Sequence, residues 1–286
     1  METIVRLANP MLYLVATPIG NLADISARAL DTLRSVDVIA AEDTRVTRKL
    51  LSRYDIKTQL ISYHEHSGPA ATDAIVRRMT ESGQRVALVT DAGTPGISDP
   101  GRDLVAAAIE ANVPIVPIPG PTAFTPALTA SGLPTARFLF EGFLPRTKST
   151  RMKKLAALAF EERTLIFYES PQRMGDTIAE VAKAMGGERR ACVARELTKV
   201  FEEFRRGTLA ELAAFYAQEK TRGECVLVVG GRDPSEAAAP AMDEPDSEPA
   251  RGKKLIRRLA AELGIPRRDV YDMVLELKKR RGSNQD

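Results

Sequence analysis

Apolar and polar positions alternate along the chain in two repeating styles. Over residues 11–121, short apolar runs are separated by segments whose apolar residues recur at the three-to-four spacing of a helix. Runs at 12–16, 38–41, 59–63, 86–90 and 114–118 read as strands, and 25–33, 47–54, 71–81 and 103–111 as helices. The run from Val86 to Thr90 is apolar almost throughout, the pattern of a strand covered on both faces. Strand and helix in turn predict a mostly parallel sheet with crossover helices. Residues 122–231 repeat the style, with strands at 137–140, 164–168, 191–194, 200–205 and 225–229 and helices at 155–160, 177–185 and 209–219. The stretch 121–134 holds a further helix and the crossing between halves. The predicted fold class is α/β: two α/β domains, 11–121 and 122–231, with a cleft between them.

Beyond residue 231 the pattern changes. Residues 232–250 are rich in Ala, Pro, Glu and Ser, carry a net charge of −5 and hold almost no large apolar residue, the composition of a flexible acidic linker. Residues 251–286 carry +6. There Leu255, Ile256, Leu259 and Leu263 share one helical face, and Gly264 suits a C-cap. Pro266 suits the start of a second helix, with Val270, Met273, Val274 and Leu277 on its apolar face. A basic C-terminal helical hairpin follows, like a helix-turn-helix, suited to phosphate backbones or equally to a solvated surface.

Charge and cysteine usage narrow the class. The overall balance is +3, from 41 Lys+Arg against 38 Asp+Glu, so the segregation lies almost wholly beyond residue 231. No run approaches the ~20 apolar residues needed to span a bilayer, and Glu2 and Arg6 interrupt any signal-like start. Cys192 and Cys225 lie in separate apolar segments, without disulfide or zinc spacing. The expectation is a cytoplasmic protein with no membrane partner.

The candidate chemistry sits in loops. In an open α/β sheet, ligands collect beyond the carboxyl ends of the strands. The loops there are dense in Gly and Pro: Thr17-Pro18-Ile19-Gly20-Asn21, Asp91-Ala92-Gly93-Thr94-Pro95-Gly96 and Pro119-Gly120-Pro121-Thr122. Gly allows close backbone approach to a ligand and Pro stiffens the loop, although each loop alone also reads as a plain turn. The chain has no Gly-x-Gly fingerprint, Walker loop or Gly-x-Ser-x-Gly elbow. His64-Glu65-His66 lacks the further ligands that a metal site needs, so no metal is expected.

At these loops the sequence resembles a known family. Residues 14–24 (LVATPIGNLAD), 41–45 (AEDTR), 90–95 (TDAGTP), 119–121 (PGP), 141–145 (EGFLP), 167–170 (FYES) and 194–199 (ARELTK) are similar, in order, to the ribosomal RNA small subunit methyltransferase I group of the tetrapyrrole methylase superfamily. The likeness spans about residues 11–231 and thins over the linker and tail. It implies two α/β domains, S-adenosylmethionine held in the cleft, a homodimer, and methylation of a cytidine ribose 2′-oxygen in the decoding centre of 16S rRNA. Tetrapyrrole-methylating members carry Gly-x-Gly-Pro-Gly near the first strand. Thr17-Pro18-Ile19-Gly20-Asn21 stands there instead, favouring the rRNA branch.

The motifs then imply a site. Asp91, Ala92, Gly93 and Thr94 would line the cofactor, beside Pro18, Gly20, Gly120, Pro121 and Thr122, with Phe167, Tyr168, Ala194 and Glu224 from the second half. A ribose hydroxyl needs a base to take its proton. Asp24, Glu42, Asp43 and Glu169 are candidates, although Asp24 can equally cap the helix at Ile25 and Asp43 can pair with Arg45. Arg45, Arg48, Lys49, Arg146, Lys148, Arg151, Lys153, Lys154 and Arg173 would meet RNA phosphates, and Tyr63, Phe143 or Tyr168 can stack a base. Two rival readings remain: a small-molecule methylase of the tetrapyrrole type, which gives the basic tail no role, and a non-enzymatic nucleic-acid-binding protein, which leaves the Gly/Pro loops idle.

Overall fold

The computed structural model describes residues 11–219 and 221–233 and, beyond them, only 256, 266 and 268–273. Residues 11–233 fold around two five-stranded sheets that belong to one compact unit, Met1–Pro234, while Ser235–Asp286 forms a second. In the second unit, residues 268–273 are helical and the amide of Asp269 donates to the Pro266 carbonyl. The rest of the predicted hairpin and most of the acidic linker lie outside the described residues.

The first sheet comprises β1 (Met11–Val15), β2 (Val38–Ala41), β3 (Gln59–Ser62), β4 (Arg85–Val89) and β5 (Ile115–Ile118). Its order is β3-β2-β4-β1-β5 and every pairing is parallel, as the apolar runs predict. Four helices cover it: α1 (Ala27–Ser35), α2 (Thr44–Arg53), α3 (Gly68–Thr80) and α4 (Arg102–Glu110). The pleat of β4 divides the core. Ala87 and Val89 pack under α1 and α2 with Leu33 and Leu51, whereas Val86 and Leu88 pack under α3 and α4 with Met79 and Leu104.

The second sheet comprises β6 (Phe138–Phe143), β7 (Thr164–Glu169), β8 (Arg190–Arg195), β9 (Glu203–Thr208) and β10 (Cys225–Val229), in the order β6-β7-β10-β8-β9. Only β6 and β7 run parallel, and the other three pairings are antiparallel. The cause is connection length. The turn at 196–202 is too short for a crossover, so β9 must return alongside β8. One face carries α5 (Phe124–Ser131), with Ala127 and Leu128 against Ile166, Ala194 and Val228. The other carries α6 (Lys148–Ala157), α7 (Met174–Met185) and α8 (Leu209–Tyr216).

Two expected elements differ. The strand expected at 200–205 begins at Glu203, because Val200 and Phe201 stand in the turn, 93% and 72% exposed. Their β-propensity misleads where a turn fixes the backbone. The helix expected at 155–160 begins at Lys148, so the basic run 148–154 is its first turns. Within it Arg151 is buried. Its Nε and Nη2 donate to both oxygens of Glu180 on α7, and Nη1 donates to the Pro145 and Arg146 carbonyls.

The Arg151–Glu180 pair therefore clamps the loop after β6 onto α7. Breaking a buried pair strands its partner's charge, so Arg151→Ala is expected to lower the unfolding free energy by about 3 kcal/mol in denaturant titration. A loss below about 0.5 kcal/mol would show that the pair behaves as a surface contact.

Candidate functional site

Three loops beyond β1, β4 and β5 are fastened into one wall. Thr17 and Gly93 exchange backbone hydrogen bonds, N to O at 2.8 and 3.0 Å, joining the first loop to the second as a one-residue bridge. The Thr17 hydroxyl donates to the Thr90 carbonyl at 3.0 Å. Thr94 Oγ1 donates to the Pro121 carbonyl at 3.0 Å, joining the second loop to the third. Gly93 sits at φ +88°, a region glycine enters without strain. A Cβ on Gly120 would fall 2.8 Å from that of Ala16, so the third loop lies against the end of β1 through a glycine.

The second sheet faces this wall. Its β6 carries a bulge at Phe140/Gly142, where Gly142 sits at φ +62° and a Cβ on it would lie 3.0 Å from Ser98 Oγ. The turn at 196–199 reaches back as well. A Cβ on Gly20 would lie 2.5 Å from Lys199 Cγ, and Lys199 Nζ pairs with Glu196 at 2.7 Å and Glu224 at 3.0 Å.

Between the sheets lies a cavity of about 410 Å³, within the usual range of small-molecule sites. Ile19, Ile97, Leu197 and Val226 give it apolar walls. Its ionisable carboxyls are Glu42, Asp91, Asp99, Glu169 and Glu224, and no Lys, Arg or His is among its lining residues. Burial raises the pKa of Glu42 and of Asp91, and nearby negative charges add to the effect. Burial, with Glu42 and Asp91 close by, pushes Asp99 up to about 7. Tyr168 is pushed up to about 12 by burial, and its hydroxyl oxygen accepts from the Phe124 amide. Cys225 is also pushed up to about 12 by burial, so its thiol stays protonated at neutral pH.

The structure brings only part of the expected set to this cavity. Asp91, Ala92, Gly93, Thr94, Thr122, Tyr168 and Glu224 line it, as do Glu42 and Glu169. Pro18, Gly20, Gly120 and Pro121 stand behind the lining, where they shape and fasten the loops. Phe167 and Ala194 are placed elsewhere. Phe167 points into the core under α6–α8, as strand alternation requires once Tyr168 faces the cavity, whereas Ala194 shares the Tyr168 face of the sheet but packs into the core under α5. Asp24 is exposed at the end of a 3-10 turn, Leu22–Asp24, and Ser26 caps α1 in its stead. Asp43 caps α2 and pairs with Arg45 at 2.6 Å, which holds its carboxyl well below the usual range. The Glu169 side chain is wholly buried, accepts from the Ser170 amide and Thr177 Oγ1, and forms an ion pair with Arg173.

The basic candidates divide similarly. Arg45, Arg48, Lys49, Arg146, Lys148 and Lys153 are exposed. Arg151, Lys154 and Arg173 are engaged internally, with Glu180, Glu141 and Glu169 respectively. Tyr63 is buried with its hydroxyl on Thr72, whereas Phe143 is 56% exposed at the cavity mouth, its ring 5.6 Å from that of Tyr168. His64 and His66 bond to one another, amide to Nδ1. The residue that sequence reasoning passed over is Asp99. A signal was present, since the Gly/Pro loop continues past Gly96 through Asp99-Pro100-Gly101.

The chain matches the tetrapyrrole (corrin/porphyrin) methylases over residues 11–213. It is 48% identical to ribosomal RNA small subunit methyltransferase I of Synechocystis, over 94% of this chain and 98% of that one. The Bacillus subtilis protein of the same name is 43% identical, over 92% and 93%. Among solved structures, uroporphyrin-III C-methyltransferase of Thermus thermophilus, complexed with S-adenyl homocysteine, superposes with a TM-score of 0.54 at 19% identity, covering 77% of this chain and 97% of that one. Diphthine synthase superposes with a TM-score of 0.59 at 14% identity, covering 78% and 90%. The structural likenesses confirm the fold, and with the sequence relatives they establish that the chain belongs to the tetrapyrrole methylase family and, within it, to the ribosomal RNA small subunit methyltransferase I group.

Proposed function

We propose that the cavity between the sheets holds S-adenosylmethionine and that the chain transfers its methyl to the ribose 2′-oxygen of a cytidine in the decoding centre of 16S rRNA. As a member of its group, the chain is an S-adenosylmethionine-dependent methyltransferase of ribosomal RNA. The observation that carries the site is the lining's charge. No cation lines the cavity, and Glu42, Asp91 and Asp99 hold no ion pair among the described residues, which suits a ligand with a sulfonium and an ammonium and disfavours phosphate-bearing cofactors. The apolar walls suit a purine face. Asp91, Gly93, Thr94 and Thr122 would hold the cofactor from the first sheet's loops, and Tyr168 and Glu224 from the second.

Bound there, the cofactor supplies an electrophilic methyl, so the chain's own task is alignment and proton removal. The fastened loops fix the position of the donor, and alignment of this kind is worth up to ~7–11 kcal/mol of barrier. An acidic cavity disfavours the phosphate backbone. RNA therefore offers one nucleoside while its phosphates stay outside, on exposed bases such as Arg45, Arg48, Arg146 and Lys148. The tetrapyrrole reading loses support because the rRNA enzymes are 43–48% identical and the porphyrin enzyme only 19%. The homodimer and the cytoplasmic setting belong to the same reading, and a sedimentation mass of one chain would remove the dimer from it. No described helix is long and apolar enough to cross a membrane.

The direct test is methyl transfer to unmodified small ribosomal subunits, with the product mapped to a ribose; a methylated base or no RNA product would contradict the reading. Gly93→Val forces a β-branched residue to φ +88° or breaks the bridge to Thr17. Calorimetry is expected to record a loss of roughly tenfold or more in cofactor affinity, given the 1–3 kcal/mol of such strain. Unchanged affinity would remove the loop from the site. Deleting 251–286 withdraws a net +6 and is expected to weaken RNA binding and flatten its salt dependence, leaving cofactor affinity intact. Equal RNA affinity at several salt concentrations would count against a role for the tail.

A further inference from the structure

We propose that Asp99 is the general base of the transfer, taking the proton of an acceptor hydroxyl that enters through a second cavity between α3 and α4. This rests on the function proposed above and names the base which that reading leaves open. The second cavity, about 440 Å³, is bounded by Tyr63 and His64 after β3, by Gly68 and Thr72 of α3, and by the start of α4. Among the described residues, Asp99 alone lines both cavities.

Transfer requires oxygen, carbon and sulfur in line, so an acceptor must approach from beyond the cofactor's own space. The second cavity, which shares Asp99 with the first in its lining, supplies that approach. The other carboxyls of the first cavity already hold partners. Glu42 accepts from the Asp91 amide and Asp91 from the Asp43 amide, while Asp43 pairs with Arg45 and Glu224 with Lys199. Glu169 is buried and saturated, and Asp24 lines neither cavity. Among the described residues, no hydrogen bond or ion pair reaches the Asp99 carboxylate.

Its loop is nonetheless rigid. The Gly96 amide donates to the Pro100 carbonyl at 3.1 Å, and Gly101 at φ +139° lies so close to β4 that a Cβ would fall 2.8 Å from Leu88 Cδ2. An unpartnered carboxylate on a fixed loop is ready for a new hydrogen bond. In the step, the ribose O–C bond forms as the S–C bond breaks, sulfur keeps that electron pair as a neutral thioether, and the hydroxyl proton passes to Asp99.

The surroundings tune that base. Glu42 and Asp91 face it across the first cavity, with Tyr168 on β7 opposite. In the second cavity it is faced by His64 and Glu65, Asp73 of α3, and Arg102 and Asp103 of α4. Burial and the two neighbouring acids push its pKa to about 7, where a carboxylate is both deprotonated in part and basic enough to work. Protonation disables a base, so the rate should fall as pH drops through that value.

The experiment is single-turnover methyl transfer to unmodified small ribosomal subunits across pH 5.5–9, about 1.5–2 units either side of the Asp99 value of about 7. The wild-type rate should rise through an acid limb near 7. At saturating S-adenosylmethionine, Asp99→Asn should lower the rate by roughly 10²–10⁴-fold and erase the limb, with subunit affinity within about twofold of wild type. Glu42→Gln removes a neighbouring negative charge and should move the limb to lower pH; it decides the matter if Asp99→Asn does not fold. Wild-type turnover by Asp99→Asn, or a limb that Glu42→Gln leaves in place, overturns the assignment. Failure of the unsubstituted protein to methylate the subunit overturns the ribosomal reading itself.

Discussion

The two hydrogen bonds exchanged by Thr17 and Gly93 set the geometry on which the site depends. They join loops that the parallel sheet merely delivers to the same edge. With Thr17 Oγ1 on the Thr90 carbonyl and Thr94 Oγ1 on the Pro121 carbonyl, three flexible Gly/Pro segments become one surface. Each bond is worth only ~1 kcal/mol by itself. Together they order backbone that would otherwise be ordered at the expense of ligand affinity. The positive φ of Gly93 is the local condition for the bridge, and the close passage of Gly120 beside Ala16 is the condition for the third loop.

Charge is arranged around that surface in opposition. The cavity holds carboxyls without cations, and the exposed face of α2 and the start of α6 carry Arg45, Arg48, Lys49, Lys148 and Lys153. Under the proposed function, a cationic cofactor and the phosphates of a polyanionic substrate would be drawn to different places by sign. The same arrangement raises Glu42, Asp91 and Asp99, since each is partly desolvated beside another carboxylate: Asp91 beside Glu42, Asp43 beside Asp91, and both Glu42 and Asp91 near Asp99. Asp99 alone of these lacks a donor, which is why burial acts on it least opposed.

Much of the first sheet was legible in the chain, because a parallel strand covered on both faces must be apolar at successive positions, as Val86 to Val89 are. The second sheet's strands were legible but their directions were not. Direction depends on the short turn at 196–202, and the apolar Val200 and Phe201 there imitate a strand. The cleft loops were found by their Gly and Pro content, yet their members split into lining and fastening residues only in three dimensions. Alternation along β7 already separates Phe167 from Tyr168, so that distinction was available from a period of two. Arg151, Lys154 and Arg173 could not be told from surface bases, because their partners Glu180, Glu141 and Glu169 are distant or silent in sequence. Asp99 was hidden by the apparent end of its loop at Gly96.

In the proposed arrangement one acidic cavity between the sheets receives the cofactor and a second, sharing Asp99 with it, receives the acceptor. A crystal structure of the chain with S-adenosylhomocysteine tests it most directly. The account predicts the thioether sulfur in the cavity bounded by Asp91–Thr94 and Tyr168, with the space beside His64 and α4 left open and continuous with it at Asp99. A ligand seated beside His64 and α4, or one that seals Asp99 from that space, would contradict it.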